Sequence, residues 1–320
     1  MSERAFLVTG AHGCIGAWAV HELVESGERV VTFDLSADPR RLAHLLPPEQ
    51  IEAVPHVAGD ISDLDTVERA LDEHGITNVI HLAALQVPFC RADPPLGARV
   101  NVLGTVNVFE AVRRRLDRMA PIVYASSVAA FDAPGDDPEP SMIGHPGTIY
   151  GVYKRANEGT AWVYQVEAGV PSVGLRPHTV YGVGRDQGLT SAPTTAMLAA
   201  AAGVPYTIPY GGAAQLQLAR DVAGAFIAAS LSGHDDATVH NLPSPSVSIS
   251  EVVEAIGEVV PGAAVGYEDT RLPFPDDLDA GSFSEVVPGF TTTPLIEGVR
   301  ATVERFRSLL ADGRISPPTT

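Results

Sequence analysis

A short strand-like run, Ala5–Thr9, leads without a break into three glycines spaced three apart, Gly10, Gly13 and Gly16. A chain that turns on glycine at that spacing and continues as a helix is confined to a tight strand–turn–helix, with the helix close on the strand. The helical pattern Gly16–Glu25 follows, and then a second β-branched run, Arg29–Phe33, ends at Asp34. The rhythm persists: Ile51–Ala58 reads as a third strand, Leu64–His74 as a helix, and Val79–Leu82 as a fourth strand. A long helix over Pro95–Leu116 precedes a fifth strand, Ile122–Ala125, and the helix Ile149–Ala168 precedes a sixth, Ser172–Arg176. Such alternation predicts a parallel sheet covered on both faces, and right-handed crossovers make it doubly wound.

The expected fold class is therefore α/β, a doubly wound parallel (Rossmann) sheet with a smaller C-terminal substrate-binding lobe. Residues 1–176 are expected to form the dinucleotide-binding domain that such a glycine turn opens, rejoined by about 213–243 through a helix Asp221–Ser230 and a strand Thr238–Leu242. From Val180 to Gly212 the rhythm breaks into Gly, Pro and Thr. Residues 177–320 are expected mainly in the lobe, with helices Ser250–Val260 and Leu295–Leu310 and an extended Leu272–Pro275.

Composition narrows the partners. The 320 residues are 45% hydrophobic and carry a formal charge of −18, enough for a sizeable core under an acidic surface. That surface repels phosphate backbones and anionic lipids, which argues against nucleic acid and membranes and for a small-molecule substrate. An anionic ligand must then be held locally, by backbone N–H groups or a few placed arginines. Cys14 and Cys90 have neither metal-type spacing nor the numbers for a disulfide framework, so no metal site is expected. Met1–Arg4 run straight into the first strand, leaving no room for a signal peptide, and no apolar run is long enough to span a bilayer. The cytoplasm is the expected location.

The glycine turn offers a pyrophosphate close approach and unpaired helix N–H donors. Asp34, 18 residues beyond Gly16, is placed to accept bonds from ribose hydroxyls. Its carboxylate repels a 2′-phosphate, so NAD is expected over NADP, with Arg40 and Arg41 nearby. Tyr150 and Lys154 lie four apart on one helix face. A phenol of pKa ~10 is a poor base, and a neighbouring ammonium is expected to lower that value. Tyr153 has Asn157 four positions on, so Tyr150 is the better acid–base candidate. Ser126 and Ser127 follow the fifth strand, at the carboxyl edge where ligands of open α/β sheets bind.

Together these residues resemble the extended short-chain dehydrogenase/reductase family, which includes NAD-dependent sugar epimerases and dehydratases. The resemblance runs over nearly the whole chain. It rests on Gly10–Gly16, Asp34, Gly59-Asp60-Ile61, His81–Ala84, Asn101–Thr105, Tyr124–Ser127, Tyr150–Lys154, Leu175–Pro177 and Val180–Gly182. It implies Ser127, Tyr150 and Lys154 as catalytic residues. It implies a cofactor site of Gly10, Gly13, Cys14, Ile15, Gly16, Asp34, Asp60, Ile61, Leu82, Ala83 and Ala84, continued by Asn101, Ala125, Tyr150, Lys154, Pro177 and Thr179. It further implies a homodimer packed through the helix after Asn101 and the Tyr150 helix.

The departures from the family narrow the reaction. Dehydratases have an Asp-Glu pair after the active-site hydroxyl residue, where this chain has Val128-Ala129, so elimination is not expected. Nucleotide-sugar members commonly have Asn where Thr179 stands, and a base upstream of the segment holding Arg220 and Asp221, which is absent between Gly212 and Ala219. Arg185 and Arg271 remain as possible diphosphate partners. Arg271–Asp279 is similar to Trp/Phe-Pro stretches in family dehydrogenases of small hydroxy acids and amino alcohols. Candidate substrate contacts are Gln86, Ser127, His178 and Arg185, with Thr190–Thr195 at the cleft mouth, while His12 reads as a loop position and His81 as a core histidine.

The expected reaction is hydride transfer between NAD and a secondary alcohol carbon of a small polyol, sugar or hydroxy acid. An epimerase, which keeps cofactor and keto intermediate and returns the hydride to the other face, uses the same residues and stays open. A non-catalytic nucleotide sensor would have lost the Tyr or the Lys, and both are present.

Overall fold

In the computed structural model, which describes residues 4–131, 146–272 and 275–318, the buried strands come first. They are β1 (Ala5–Thr9), β2 (Arg29–Asp34), β3 (His56–Ala58), β4 (Asn78–His81), β5 (Ile122–Ala125) and β6 (Ser172–Arg176). Later come β7 (Thr179–Tyr181), β8 (Tyr206–Ile208), β9 (Ala213–Leu218), β10 (Ala237–Asn241), β11 (Ser246–Ser248) and β12 (Val265–Tyr267). Seven of them form one parallel sheet in the order β10-β6-β5-β4-β1-β2-β3. The order reverses direction between β1 and β4, and that switch point opens a crevice at the carboxyl ends of the strands.

Every residue of β1 is buried, because helices cover both faces of the sheet. On one face Phe6, Val8, Val20, Leu23, Val123, Val173 and Phe226 share a core. On the other, Leu7, Val31, Val79, Phe109 and Val112 do so. A separate core of Tyr181, Met197, Leu216, Val252, Ile256, Val303 and Phe306 joins the later segments. Trp18 packs on both this core and the first, and its indole N–H donates to Val183 O at 2.9 Å. The smaller sheets, β11-β9-β7 and β12-β8, belong to these later segments.

Three expectations are corrected. The third strand begins at His56, not Ile51, because Pro48 opens a helix Pro48–Ala53 from good helix formers. The stretch after Val180 contains a helix, Ala192–Ala202, with Pro193 in its first turn and Gly203 closing it at φ +70°. It is apolar all round and buried on most sides, so it carries no amphipathic stripe to read. The long helix after Pro94 is three joined stretches, Pro94–Ala98, Arg99–Leu103 and Gly104–Arg113, the middle one with π geometry. Pro273 and Phe274 of the Pro-rich stretch lie outside the described residues. No helix among the described residues is long and apolar enough to cross a membrane.

Candidate active site

β1 hands the chain to Gly10, whose φ of +67° favours glycine. A Cβ there would stand 2.7 Å from Ala83 N, and one on Gly16 only 2.2 Å from Gly10 O. Glycine at both points lets the helix Cys14–Glu25 start against the ends of β1 and β4. No side chain caps that helix at Gly13, which leaves its first-turn N–H groups to a ligand.

Asp34 closes β2 and accepts from His12 N and Ser36 N, both at 3.0 Å. The His12 ring stacks on His56 with centroids 4.8 Å apart and bonds Ser36 O at 2.7 Å, so it braces the Asp34 loop. Arg41 donates to His12 O and to Asp186, and Arg40 lies 3.6 Å from Asp38. The two arginines beside Asp34 are thus already engaged by protein acceptors, which leaves its carboxylate as the main charge at this end of the crevice.

The crevice has two halves. The first, about 460 Å³, is lined by Asp34, Asp60, Ile61 and Leu82–Gln86. The second, about 290 Å³, is lined by Ile15, Gly16, Ala125, Ser127, Tyr150 and Lys154, with Pro177, His178 and Thr179 opposite. Gly10, Gly13, Cys14, Leu82, Ala84, Gln86 and Arg185 line both. Of the candidate catalytic and cofactor-binding residues, Asn101 alone is absent from these walls. It is buried, and its amide exchanges bonds with Leu85 N (2.7 Å) and Leu85 O (2.9 Å), bracing the segment after Ala84 from behind. Arg91 and Thr148 also line the second half, with no sequence signal to mark them.

The Tyr150 helix is brought in by close packing: a Cβ on Gly151 would meet Ala129 O at 2.0 Å. Thr148 Oγ1 caps the helix by accepting from Gly151 N at 3.0 Å. The Ser127 hydroxyl lies beside the Tyr150 phenol and favours its phenolate form. Lys154 Nζ donates to Ala125 O at 2.7 Å and sits 5.5 Å from the Tyr150 ring centroid. Burial pulls Lys154 down to about 8. Burial also pushes Tyr150 up to about 12, against the Ser127 hydroxyl and the Arg185 charge. The expected lowering of Tyr150 is therefore not what this geometry produces: the ammonium bonds a carbonyl, and desolvation of the phenolate prevails.

Other polar groups are committed elsewhere. Tyr153 donates to Pro94 O at 2.8 Å, which makes it a packing residue. Ser126 is buried and donates to Glu158, so of the two serines only Ser127 serves the Tyr150 side. His81 is buried between Thr9 Oγ1 (2.7 Å) and Thr105 Oγ1 (3.1 Å). His178 Nε2 is 2.7 Å from Pro275 O, and a carbonyl only accepts, so Nε2 carries the proton. Burial lowers its pKa and keeps the ring neutral. Burial also pushes the Cys14 thiol up to about 11, which leaves it protonated. Arg185 donates to Thr190 Oγ1 at 3.0 Å, and its Nε is buried with no partner among the described residues. Thr194, in the Thr190–Thr195 run, accepts from Gly182 N and is buried. Arg271 is exposed beside Asp276, away from the walls. No Asp or Glu among the described residues lines the second half.

These features define a doubly wound α/β fold with a crevice of dinucleotide size, and comparison with known proteins gives the chain's family. It belongs to the NAD dependent epimerase/dehydratase family, whose pattern matches residues 6–240. UDP-glucuronate 4-epimerase 6 of Arabidopsis thaliana is 31% identical over 185 residues, 55% of this chain and 39% of that protein. UDP-glucuronate 4-epimerase 1 of the same plant is 32% identical over 225 residues, 67% of this chain and 51% of that protein. The chain thus spans about half or less of these relatives' length. Among solved structures, a Thermus thermophilus UDP-glucose 4-epimerase in complex with NAD superposes with a TM-score of 0.73 at 28% identity, over 95% of this chain and 99% of that one. A Clostridium difficile L-threonine dehydrogenase shares the fold, with a TM-score of 0.80 at 19% identity, over 96% and 99%.

NAD is the cofactor of this family, and the crevice fits it. The acid, the uncapped helix start and the unpartnered Arg185 Nε follow one another from the first half to the second.

Proposed function

We propose that the protein is an NAD-dependent oxidoreductase acting at a secondary alcohol carbon of a small polyol, sugar or hydroxy acid. The observation that carries this is the meeting of Ser127, Tyr150 and Lys154 on one wall of a crevice whose second half has no carboxylate among the described residues. One proton-exchanging group suits alcohol–ketone interconversion, whereas elimination needs a second acid–base pair. Val128 and Ala129 line the wall where that pair would stand, and His178 is neutral and already bonded. Bound NAD would supply the hydride acceptor and donor, held by the glycine turn, Asp34, the Asp60–Ile61 and Leu82–Ala84 walls, and Lys154. Tyr150 exchanges the hydroxyl proton, and Ser127 holds the substrate oxygen against it. Lys154 holds a positive charge beside the phenol. Gln86, His178 and Arg185 bound the substrate space, and the lobe that carries the last two forms its outer wall.

Replacement of Tyr150 by Phe is expected to lower turnover by about 10²- to 10⁴-fold while NAD binding, followed by fluorescence, is unchanged. Intact turnover in Tyr150→Phe would end this reading.

A second reading, transient oxidation by an epimerase, is favoured by the epimerase relatives and by Arg185, a cation standing where an anionic sugar derivative could reach it. Cofactor that survives gel filtration and product of inverted configuration without net NADH would select it.

The Tyr150 helix presents Val152, Trp162, Val163 and Val166 to solvent, and the stretch Arg99–Leu103 that packs against it exposes Leu103. Exposed apolar surface of this kind marks an interface, and we assign it to a second copy of the chain. Sedimentation at micromolar concentration should give a dimer; a monomer there refutes the assignment.

A further inference from the structure

Behind the Ser127 wall lies a cluster that the proposed reaction does not use. Glu158 sits one turn after Lys154 on the same helix, and its carboxylate accepts three bonds from the ends of two strands. Ser126, following β5, donates its hydroxyl to Oε1. Arg176, ending β6, donates Nε and Nη2 to Oε1 and Oε2, each at 2.7 Å. The Arg176 guanidinium lies 4.6 Å from the Phe131 ring centroid, and Glu158 is largely buried. Ser126 N also donates to Leu175 O at 2.7 Å, and Val128 N to Pro177 O at 3.1 Å. The segment Ala125–Val128 is therefore pinned on both sides of Ser127. It carries Ala125 O, the acceptor of Lys154, as well as the Ser127 hydroxyl.

We infer that Glu158 is a positioning residue: through Ser126 and Arg176 it fixes the Ala125–Ser127 segment against the Tyr150 helix and balances the charge of Lys154. The inference rests on the roles proposed above for Ser127, Tyr150 and Lys154. A surface Glu four residues after a Lys would be an ordinary helical pair of little consequence. Here the partners come from 32 and 18 residues away, and bidentate Arg–carboxylate geometry fixes orientation as well as charge.

The charges around Lys154 determine the sign of the effect. Its neighbours are the Tyr150 phenol on its own helix, the neutral His81 of β4, the Cys90 thiol, and Glu158. Burial lowers Lys154, while Cys90 and Glu158 raise it. Glu158→Gln removes a counter-charge and leaves Arg176 as an unbalanced cation on the far side, so Lys154 must fall further and lose its proton at lower pH.

The test reads Lys154 directly and needs no substrate. Competitive amine labelling against pH, with the Lys154 peptide followed by mass spectrometry, should titrate near 8 in the parent chain. In Glu158→Gln it should titrate about one unit lower, while Glu158→Asp, which keeps the charge, should restore it. Ser126→Ala, which keeps the ion pair, should leave the titration in place and lower kcat about threefold to tenfold, with KM for NAD unchanged. An unchanged Lys154 titration in Glu158→Gln overturns the charge role. Undiminished kcat in Ser126→Ala overturns the positioning role. A poorly folded Glu158→Gln is replaced by the double change Glu158→Gln with Arg176→Met, in which Lys154 should still titrate below the parent chain. A double variant that titrates with the parent also overturns the charge role. Tyr150→Phe tests the underlying reading separately, because labelling of Lys154 does not depend on turnover.

Discussion

The two halves of the crevice are built by different means. The half around Gly10, Asp34 and Asp60 is made mainly by the turns that end successive strands, where backbone N–H groups such as His12 N hold Asp34. The half around His178 and Arg185 is made by side chains that reach across the chain. His178 bonds Pro275, 97 residues on, and Gln215 bonds Asp277 and Leu278, over 60 residues on. A backbone-built site tolerates change in side chain but not in shape. A side-chain-built site tolerates change in shape more readily, because each bond is one of several.

The sharpest way to break the backbone-built part is Gly16→Ala, in the turn where the first half passes into the second. The new methyl would stand 2.2 Å from Gly10 O and 2.8 Å from Ala11 Cα, both backbone atoms with no rotamer to yield. The helix must move away from the turn, and overpacking of this kind costs roughly 1–3 kcal/mol or more. Thermal unfolding should shift down, and NAD binding should be lost with it, because the first-turn N–H groups move as one piece. A variant with unchanged NAD affinity would show that the helix start is not the phosphate seat.

That contrast also explains what could be read from the sequence. β1, β2, β5 and β6 and the Tyr150 helix stand at their expected bounds, since local periodicity and turn chemistry determine them. The meeting of Asp34, the glycines, Tyr150 and Lys154 along one crevice was legible for the same reason, because each stands at the end or start of an element of the repeat. The helix Ala192–Ala202 was hidden because burial on most sides erases its stripe. Spacing alone does not separate Ser126 from Ser127. The family resemblance pointed to Ser127, and Ser126 is tied to Glu158, 32 residues away. The bonds of Asn101 to Leu85 behind the wall had no signal in the spacing. The Tyr150 pKa runs against the simple pair argument because burial, which spacing does not report, outweighs a neighbouring charge.

The second half should respond more weakly, and His178→Phe measures by how much. The phenyl ring keeps the volume and deletes the donor to Pro275 O and the acceptor for Thr179 Oγ1. A net hydrogen bond contributes about 1 kcal/mol, and Pro275 O can turn to water, so the stability loss should be about 1–2 kcal/mol. The 275–279 segment would not come free. Ser246 Oγ still holds Asp276 O at 2.9 Å, and Gln215 still holds Asp277 and Leu278. The expected signature is a split: substrate KM rises about fivefold to tenfold while NAD affinity stays within about twofold, because no NAD-side wall depends on that bond. If NAD affinity fell as far as substrate affinity, the two halves would be one coupled unit, and the distinction drawn between them would fail. A split would instead show that substrate recognition can be changed in the lobe without disturbing the nucleotide seat.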